Sequence, residues 1–405
     1  MNQNKIPLSA SRIKTLDSCS WEYYCNYVLK LPDQTNSGAV MGSCCHNLYE
    51  YLGEEKRKKI FDKLVKHQNV SCCPQVERYI NSFLKKEGFP PKDLAKSAHG
   101  EEISHFDLVE RMLLEGLNYD FFGKDKGEPT ESHSEISFDI DVEEGEFSYR
   151  VRGFIDKLFL FEDKSLAIIR DFKSSKNKFQ GKELEDNIQD QIYRLVVKKL
   201  YPKYSKGWME FVFLQYDCEK HCEEAWTYLV EGENEYLVGI KSNDGGILVT
   251  PEMSEGEMKG LEYYLTDIQK IVDNFDEKLA ISNMASEKGW PEKYEGFAGL
   301  IKCGRAENPK QKKVNGDKMW HCPMKFGYFY YELKEGDKIV KTSKLKKDLK
   351  PLKGQKIEKK FYGGCPAFNN LKYNKDIIAK AKDQGFEVQE SQDQDCSKSE
   401  ARDLW

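Results

Sequence analysis

The chain has 405 residues and a net charge of −5, with 39% apolar and 32% charged residues. That length holds one large domain with an insertion or two to three smaller ones, and the balance suits a globular protein with a polar surface. The acidic total gives no general attraction to nucleic acid, so any such attraction must be local.

No apolar run approaches the roughly 20 residues that a membrane-spanning helix needs. The opening Met1-Asn2-Gln3-Asn4-Lys5 lacks the apolar centre of a secretory signal. Twelve cysteines, among them the adjacent pairs Cys44-Cys45 and Cys72-Cys73, do not form a secreted disulfide framework. An intracellular, cytoplasmic protein without a membrane partner is expected, and a viral origin is compatible with these features.

In chain order, the spacing of Trp21, Tyr24 and Val28 predicts a helix over about residues 9–30, with Ser9 or Ser11 as its cap. After Pro32 and Gly38 a second helix is expected from Val40 to about Leu52, with Gly42, His46 and Glu50 on one face. Candidate helices at 57–67, 75–87 and 101–119, interrupted by Pro90-Pro91, form a charged helical insertion. The period then changes to two: Ile136, Phe138, Ile140 and Val142 alternate with polar residues. Strands are expected at Tyr149–Asp156 and Leu166–Lys173, then a helix over 183–200, strands at Met209–Leu214 and Ala225–Val230, and a helix from Pro251 to about Phe275. This order is an α+β plan with a central mixed sheet.

Beyond it, Trp290-Pro291, Gly296 and Gly299 predict loop, Phe326–Leu333 an aromatic strand and Gly363-Gly364-Cys365-Pro366 a turn. The chain after about residue 386 is polar and expected to fray. The expected domains are a core over about 1–280, with a helical insertion at about 54–130, and a C-terminal extension over 281–405. Within the extension, residues 338–360 carry ten lysines against Asp348 and Glu358 alone, either a phosphate-neutralising patch or a solvated face.

Asp171 and Lys173 lie two apart on a strand and so point the same way. A hairpin turning near Glu162-Asp163-Lys164 brings Asp156 alongside Asp171. Two carboxylates suit a hard divalent cation, magnesium or manganese, and a lysine beside them can orient an attacking water. The pattern points to metal-dependent phosphodiester cleavage.

The full series extends this core. Ser9-Ala10-Ser11-Arg12-Ile13 with Cys19 and Tyr23-Tyr24, then Gly42, His46 and Glu50, then Gly153-Phe154-Ile155-Asp156-Lys157, Asp171-Phe172-Lys173, and Gln189 with Tyr193, resembles the RecB-type branch of the PD-(D/E)XK nucleases. That branch includes the AddB nuclease domain and the CRISPR adaptation nucleases. The resemblance covers about residues 9–275.

It implies a restriction-endonuclease-like core in which Asp156 and Asp171 bind the metal with His46. Lys173 would position the water, and Gln189 and Tyr193 would touch the DNA backbone or steady the site. Glu135 is an acceptor beside the site or a ligand to a second metal, and Lys176 and Lys178 are candidate DNA contacts. The implied activity is a DNA nuclease, most readily an exonuclease on ends or single strands in recombination, repair or replication. The rivals are a non-catalytic DNA-binding or assembly subunit and a structure-specific endonuclease. No GxxxxGK[ST] phosphate loop is present, so the protein is expected to act alone or with a separate helicase, recombinase or replication protein.

Several members of that branch hold an iron–sulfur cluster with one early cysteine and three late ones. Here Cys19, Cys303, Cys322 and Cys365 occupy the comparable places, with wider gaps and no CxxC. A [4Fe-4S] cluster, a zinc site aided by His321, and simple buried thiols all stay open. Cys218 and Cys222 flank His221 without an evident partner pair and are expected to be loop thiols.

Overall fold

The computed structural model describes residues 5–32, 36–179, 187–222, 226–231, 234–240, 244–250, 252–285, 303–304, 306–311, 313–314, 317–318 and 321–388. The expected loop at 290–299, and the chain beyond 388, lie outside these residues.

In chain order the helices are α1 (Ala10–Ser18), α2 (Ser20–Tyr23), α3 (Ser37–Gly53), α4 (Lys58–His67), α5 (Pro74–Lys86) and α6 (His105–Asn118). The strands β1 (Leu94–Lys96) and β2 (Glu102–Ser104) precede α6. The strands β3 (Glu131–Glu144), β4 (Phe147–Phe161) and β5 (Leu166–Lys173) follow it, then α7 (Ile188–Leu200). Next come β6 (Lys206–Phe213), β7 (Asp217–His221), β8 (Trp226–Glu231), β9 (Asn234–Ile240) and β10 (Gly245–Val249). The helices α8 (Glu255–Asp273) and α9 (Glu277–Ser282) lead to β11 (Lys313–Val314), β12 (Asp317–Lys318), β13 (Phe326–Glu335), β14 (Lys338–Ser343), β15 (Gln355–Gly364) and α10 (Lys372–Asp383).

Two compact units result, one from residues 1–10 and 35–269, the other from 11–34 and 270–405. The expected division at about residue 280 is contiguous; the observed one is not, because residues 11–34 pack with the C-terminal part. Ser20 Oγ donates to the Ala280 carbonyl at 2.6 Å and Trp21 Nε1 to Tyr362 Oη at 2.8 Å.

The first unit is built on a six-stranded mixed sheet in the order β3-β4-β5-β6-β10-β7. The pairs β5/β6 and β10/β7 are parallel and the others antiparallel. Alternation along β5 sends Phe172 into an apolar core shared with α3, α4, α5 and α6, through Leu48, Leu64, Ile80 and Leu113. The insertion is therefore a helical layer on one sheet face. Gly116 lets two helices approach closely, since a Cβ there would strike Tyr49 Oη, which donates to the Met112 carbonyl at 2.7 Å. Asp171, on the opposite face of β5, meets α7. The helix α7 begins at Ile188, where Asn187 caps it by accepting from Gln189 N and Asp190 N; residues 183–186 of the expected helix lie outside the described residues. Ser254 and Glu257 form a reciprocal capping box that starts α8.

In the second unit β13 is central in the order β14-β13-β15. The helix expected over 9–30 is broken at Cys19, whose backbone is extended (φ −165°, ψ 111°). After Tyr23 the chain winds through a π-turn to Val28.

Candidate active site

The β4/β5 ladder runs from Phe161↔Leu166 to Lys157↔Arg170 and stops there. Beyond it the Asp156 carboxylate bridges the strands, its Oδ2 accepting from Phe172 N at 2.8 Å. Opposite Asp156, Glu135 interrupts the β3/β4 pairing with φ of +50°, a left-handed conformation rare for a non-glycine residue. Strain of that kind collects at functional sites. From α3, His46 Nδ1 lies 3.3 Å from Asp156 Oδ1 and 3.8 Å from Glu135 Oε1. Ligand atoms of His46, Glu135 and Asp156 all fall within 4.8 Å of one another.

Asp171 stands beside this set. Its Oδ1 accepts from Gln189 Nε2, and Lys173 Nζ lies 2.7 Å from its Oδ2. Lys173 also donates to Gln189 Oε1 at 2.8 Å, and Gln189 Nε2 to Tyr193 Oη at 3.2 Å. The glutamine thus fixes carboxylate, ammonium and phenol together, which four-residue spacing on a capped helix permits.

Two glycines make room for this arrangement. A Cβ at Gly153 would sit 2.7 Å from Phe138 Cζ, and that ring lies edge-on to Tyr193 with centroids 5.7 Å apart. A Cβ at Gly42 would strike Ser174 Oγ, just past Lys173. Glu50 is exposed and outside the ligand set.

Burial raises the Asp156 carboxyl above the ordinary carboxylate range, and the neighbouring Asp171 adds to this. Burial also opposes charge on His46, but Asp156 and Glu135 outweigh it and push its pKa up to about 10. Without a cation the imidazole is therefore the positive partner of the carboxylates.

The sequence profile of the PD-(D/E)XK nuclease superfamily matches residues 7–296, most of the chain. The chain belongs to the PD-(D/E)XK nuclease superfamily. No curated protein matches it in direct sequence comparison. As a PD-(D/E)XK nuclease it is a divalent-metal-dependent phosphodiesterase, and the expected α+β fold with a central mixed sheet is what the structure shows.

The donor set fits such an ion. Two carboxylates and an imidazole converge, and beside them Asp171 Oδ2 is buried with the Lys173 ammonium 2.7 Å away. Oxygen donors with one imidazole suit Mg²⁺ or Mn²⁺. The holders in this chain would be His46, Glu135 and Asp156, with Asp171 alongside. A bound ion would acidify a water and polarise the scissile phosphate. The Lys173 ammonium, held by Gln189 and Asp171, would then be placed to hold a water and offset charge gathering on phosphorus.

Two expected DNA contacts part ways. Lys176 is exposed. Lys178 is buried instead, with Nζ donating to the Gly245 carbonyl and lying 4.2 Å from the centre of the Tyr216 ring, so it presents no free cation to a phosphate. Cys218 and Cys222 are buried thiols directed at the carbonyls of Phe213 and Gly245. Sequence reasoning missed Phe138 and Asn187. An alternating strand hides which aromatic covers a glycine opposite, whereas an asparagine before a helix is a recognisable cap.

In the second unit Cys19, Cys303, Cys322 and Cys365 line one cavity, together with Trp21, Met324 and Lys325. Burial raises the Cys322 thiol to about 12 and holds Cys365 well above its ordinary value. Burial lowers the ammonium of Lys325, which faces Cys303, Cys322 and Cys365, below its ordinary value.

Proposed function

We propose that this nuclease is a DNA exonuclease working on ends or single strands in recombination, repair or replication, alongside a separate helicase, recombinase or replication protein. The observation that carries the catalytic part is the Asp171–Lys173–Gln189–Tyr193 network abutting the His46–Glu135–Asp156 set. The ordered motifs shared with the RecB-type branch support the exonuclease choice. A purely scaffolding subunit has no use for this concentration of half-buried charge, which costs free energy to desolvate.

The test is incubation with end-labelled linear and closed-circular DNA, single- and double-stranded, with Mg²⁺ or Mn²⁺. Shortening of linear substrates with circles untouched is expected. Cleavage of circles would make it an endonuclease, and intact DNA in every format with binding retained would leave the non-catalytic subunit.

The same reading assigns Cys19, Cys303, Cys322 and Cys365 to a [4Fe-4S] cluster. The four cysteines line one cavity, which favours a shared cluster over scattered thiols. His321 packs edge-on against Phe326. Anaerobically purified protein should absorb near 400 nm and contain about four irons per chain; folded, iron-free protein would show that these are plain buried thiols.

A further inference from the structure

The stretch from β14 through its connector into β15, strands that flank β13 on either side, concentrates charge in a protein whose total is negative. Residues 338–360 hold ten lysines and two acidic residues, while the chain stands at −5. Three of the ten have polar or aromatic partners: Lys360 pairs with Glu358 at 3.3 Å, Lys359 donates to Gln384, and Lys344 lies over the Tyr328 ring. The other seven, Lys338, Lys341, Lys346, Lys347, Lys350, Lys353 and Lys356, are exposed and have no ion pair among the described residues. Of the two acids, Asp348 accepts from Ser343 Oγ and Glu358 is shared between Lys334 and Lys360.

The segment is folded, not a solvated tail. Its strands pair with β13 across nine registered positions on one side and five on the other, and Leu349 is buried beneath the connector. Ordering many like charges on one small scaffold costs stability through self-repulsion unless an anionic partner offsets it. Isolated surface cations are ordinary; seven without an ion pair on two strands and the connector between them call for a polyanion.

We propose that this surface grips the phosphate backbone of the nucleic-acid substrate without reading its sequence. The identity of the polyanion rests on the nuclease reading, and a regular array of phosphates matches a row of flexible point charges lacking the planar donor fork that reads bases. Leu345 and Leu352 stand exposed among the lysines and offer aliphatic contact to nucleic-acid bases or sugars.

The experiment compares the full chain with Lys346→Gln/Lys347→Gln/Lys350→Gln/Lys353→Gln, all in the connector, and with a control set Lys59→Gln/Lys63→Gln/Lys66→Gln/Lys85→Gln. Anisotropy of a labelled single-stranded 30-mer is read in EDTA across a salt series, with circular dichroism confirming the fold. Each lost phosphate contact lowers the slope of log K against log salt by about 0.7, so the connector variant should lose about 3 units of slope and bind at least about tenfold more weakly near 0.1 M salt. The control should keep the wild-type slope.

An unchanged slope in the connector variant, or an equal loss in the control, overturns the proposal. So does loss of binding to phosphatidylserine vesicles while DNA binding persists, which would make this a lipid surface. Should the wild type cleave nothing yet bind DNA through these lysines, the grip stands and the catalytic reading fails. Should it cleave with no change in the connector variant's binding, the reverse holds.

Discussion

A metal-ligating imidazole must be neutral, so cation binding to this nuclease has to displace a proton from His46. With the carboxylates of Asp156 and Glu135 beside it, that proton is held up to about pH 10. At pH 7 essentially every apo molecule carries it, so about one proton should leave per ion bound. The sign follows: raising the pH removes the competing proton, so affinity climbs by about tenfold per pH unit through the neutral range and levels off only near pH 10. Titration calorimetry with Mn²⁺ at pH 7 in buffers of different ionisation enthalpy reads the number directly. The slope of observed heat against buffer enthalpy should indicate release of about one proton for the wild type and near zero for His46→Asn. Weaker but pH-independent binding is expected in that variant. Wild-type binding without proton release would refute the placement of His46 as a ligand.

Lys157 is 1% exposed, its Nζ lying 3.6 Å from the centre of the Phe121 ring, and burial followed by the nearby Arg170 lowers its pKa to about 7. Between about pH 7 and 10.5 the unfolded chain holds this proton and the folded chain does not, so this residue's contribution makes stability rise with pH across that window. Lys157→Met should remove that slope. At pH 6 it should gain about 2–3 kcal/mol, a burial cost of roughly 4–5 less a cation–π contact of about 2; denaturant unfolding at pH 6 and 9 checks it, and a destabilised variant at pH 6 contradicts it. Gly153→Ala forces the Phe138 ring off Tyr193 and should cost about 1–3 kcal/mol together with a lower cleavage rate, read by thermal unfolding and by turnover on linear DNA.

Local periodicity carried much of the fold. Ile136, Phe138, Ile140 and Val142 announce β3, and the two-residue step from Asp171 to Lys173 places both on the face that meets α7. The four-residue step from Gln189 to Tyr193 likewise predicts their shared face, and the structure adds the hydrogen bond between them. What stayed hidden depends on distant chain. Nothing local to Glu135 signals its left-handed backbone, which is set by α3 and β4 on either side. The helical spacing of Trp21 and Tyr24 gives no hint that Cys19 is extended, because a tertiary cavity selects that break. Lys178 looked like part of a surface cluster with Lys176; its burial follows from the approach of Gly245 and Tyr216, about forty to seventy residues further on. The grouping of residues 11–34 with the C-terminal unit is hidden for the same reason.

The proposed site places Asp171 and Lys173 at the reacting centre of a metal-dependent nuclease. The most direct measurement is the single-turnover cleavage rate of end-labelled linear DNA in Mg²⁺ for wild type, Asp171→Ala and Lys173→Ala, with unfolding curves for each. Metal-dependent cleavage by the wild type is expected, with a loss of at least about a hundredfold in both variants, which stay folded and bind DNA. Near wild-type turnover in either folded variant would contradict it.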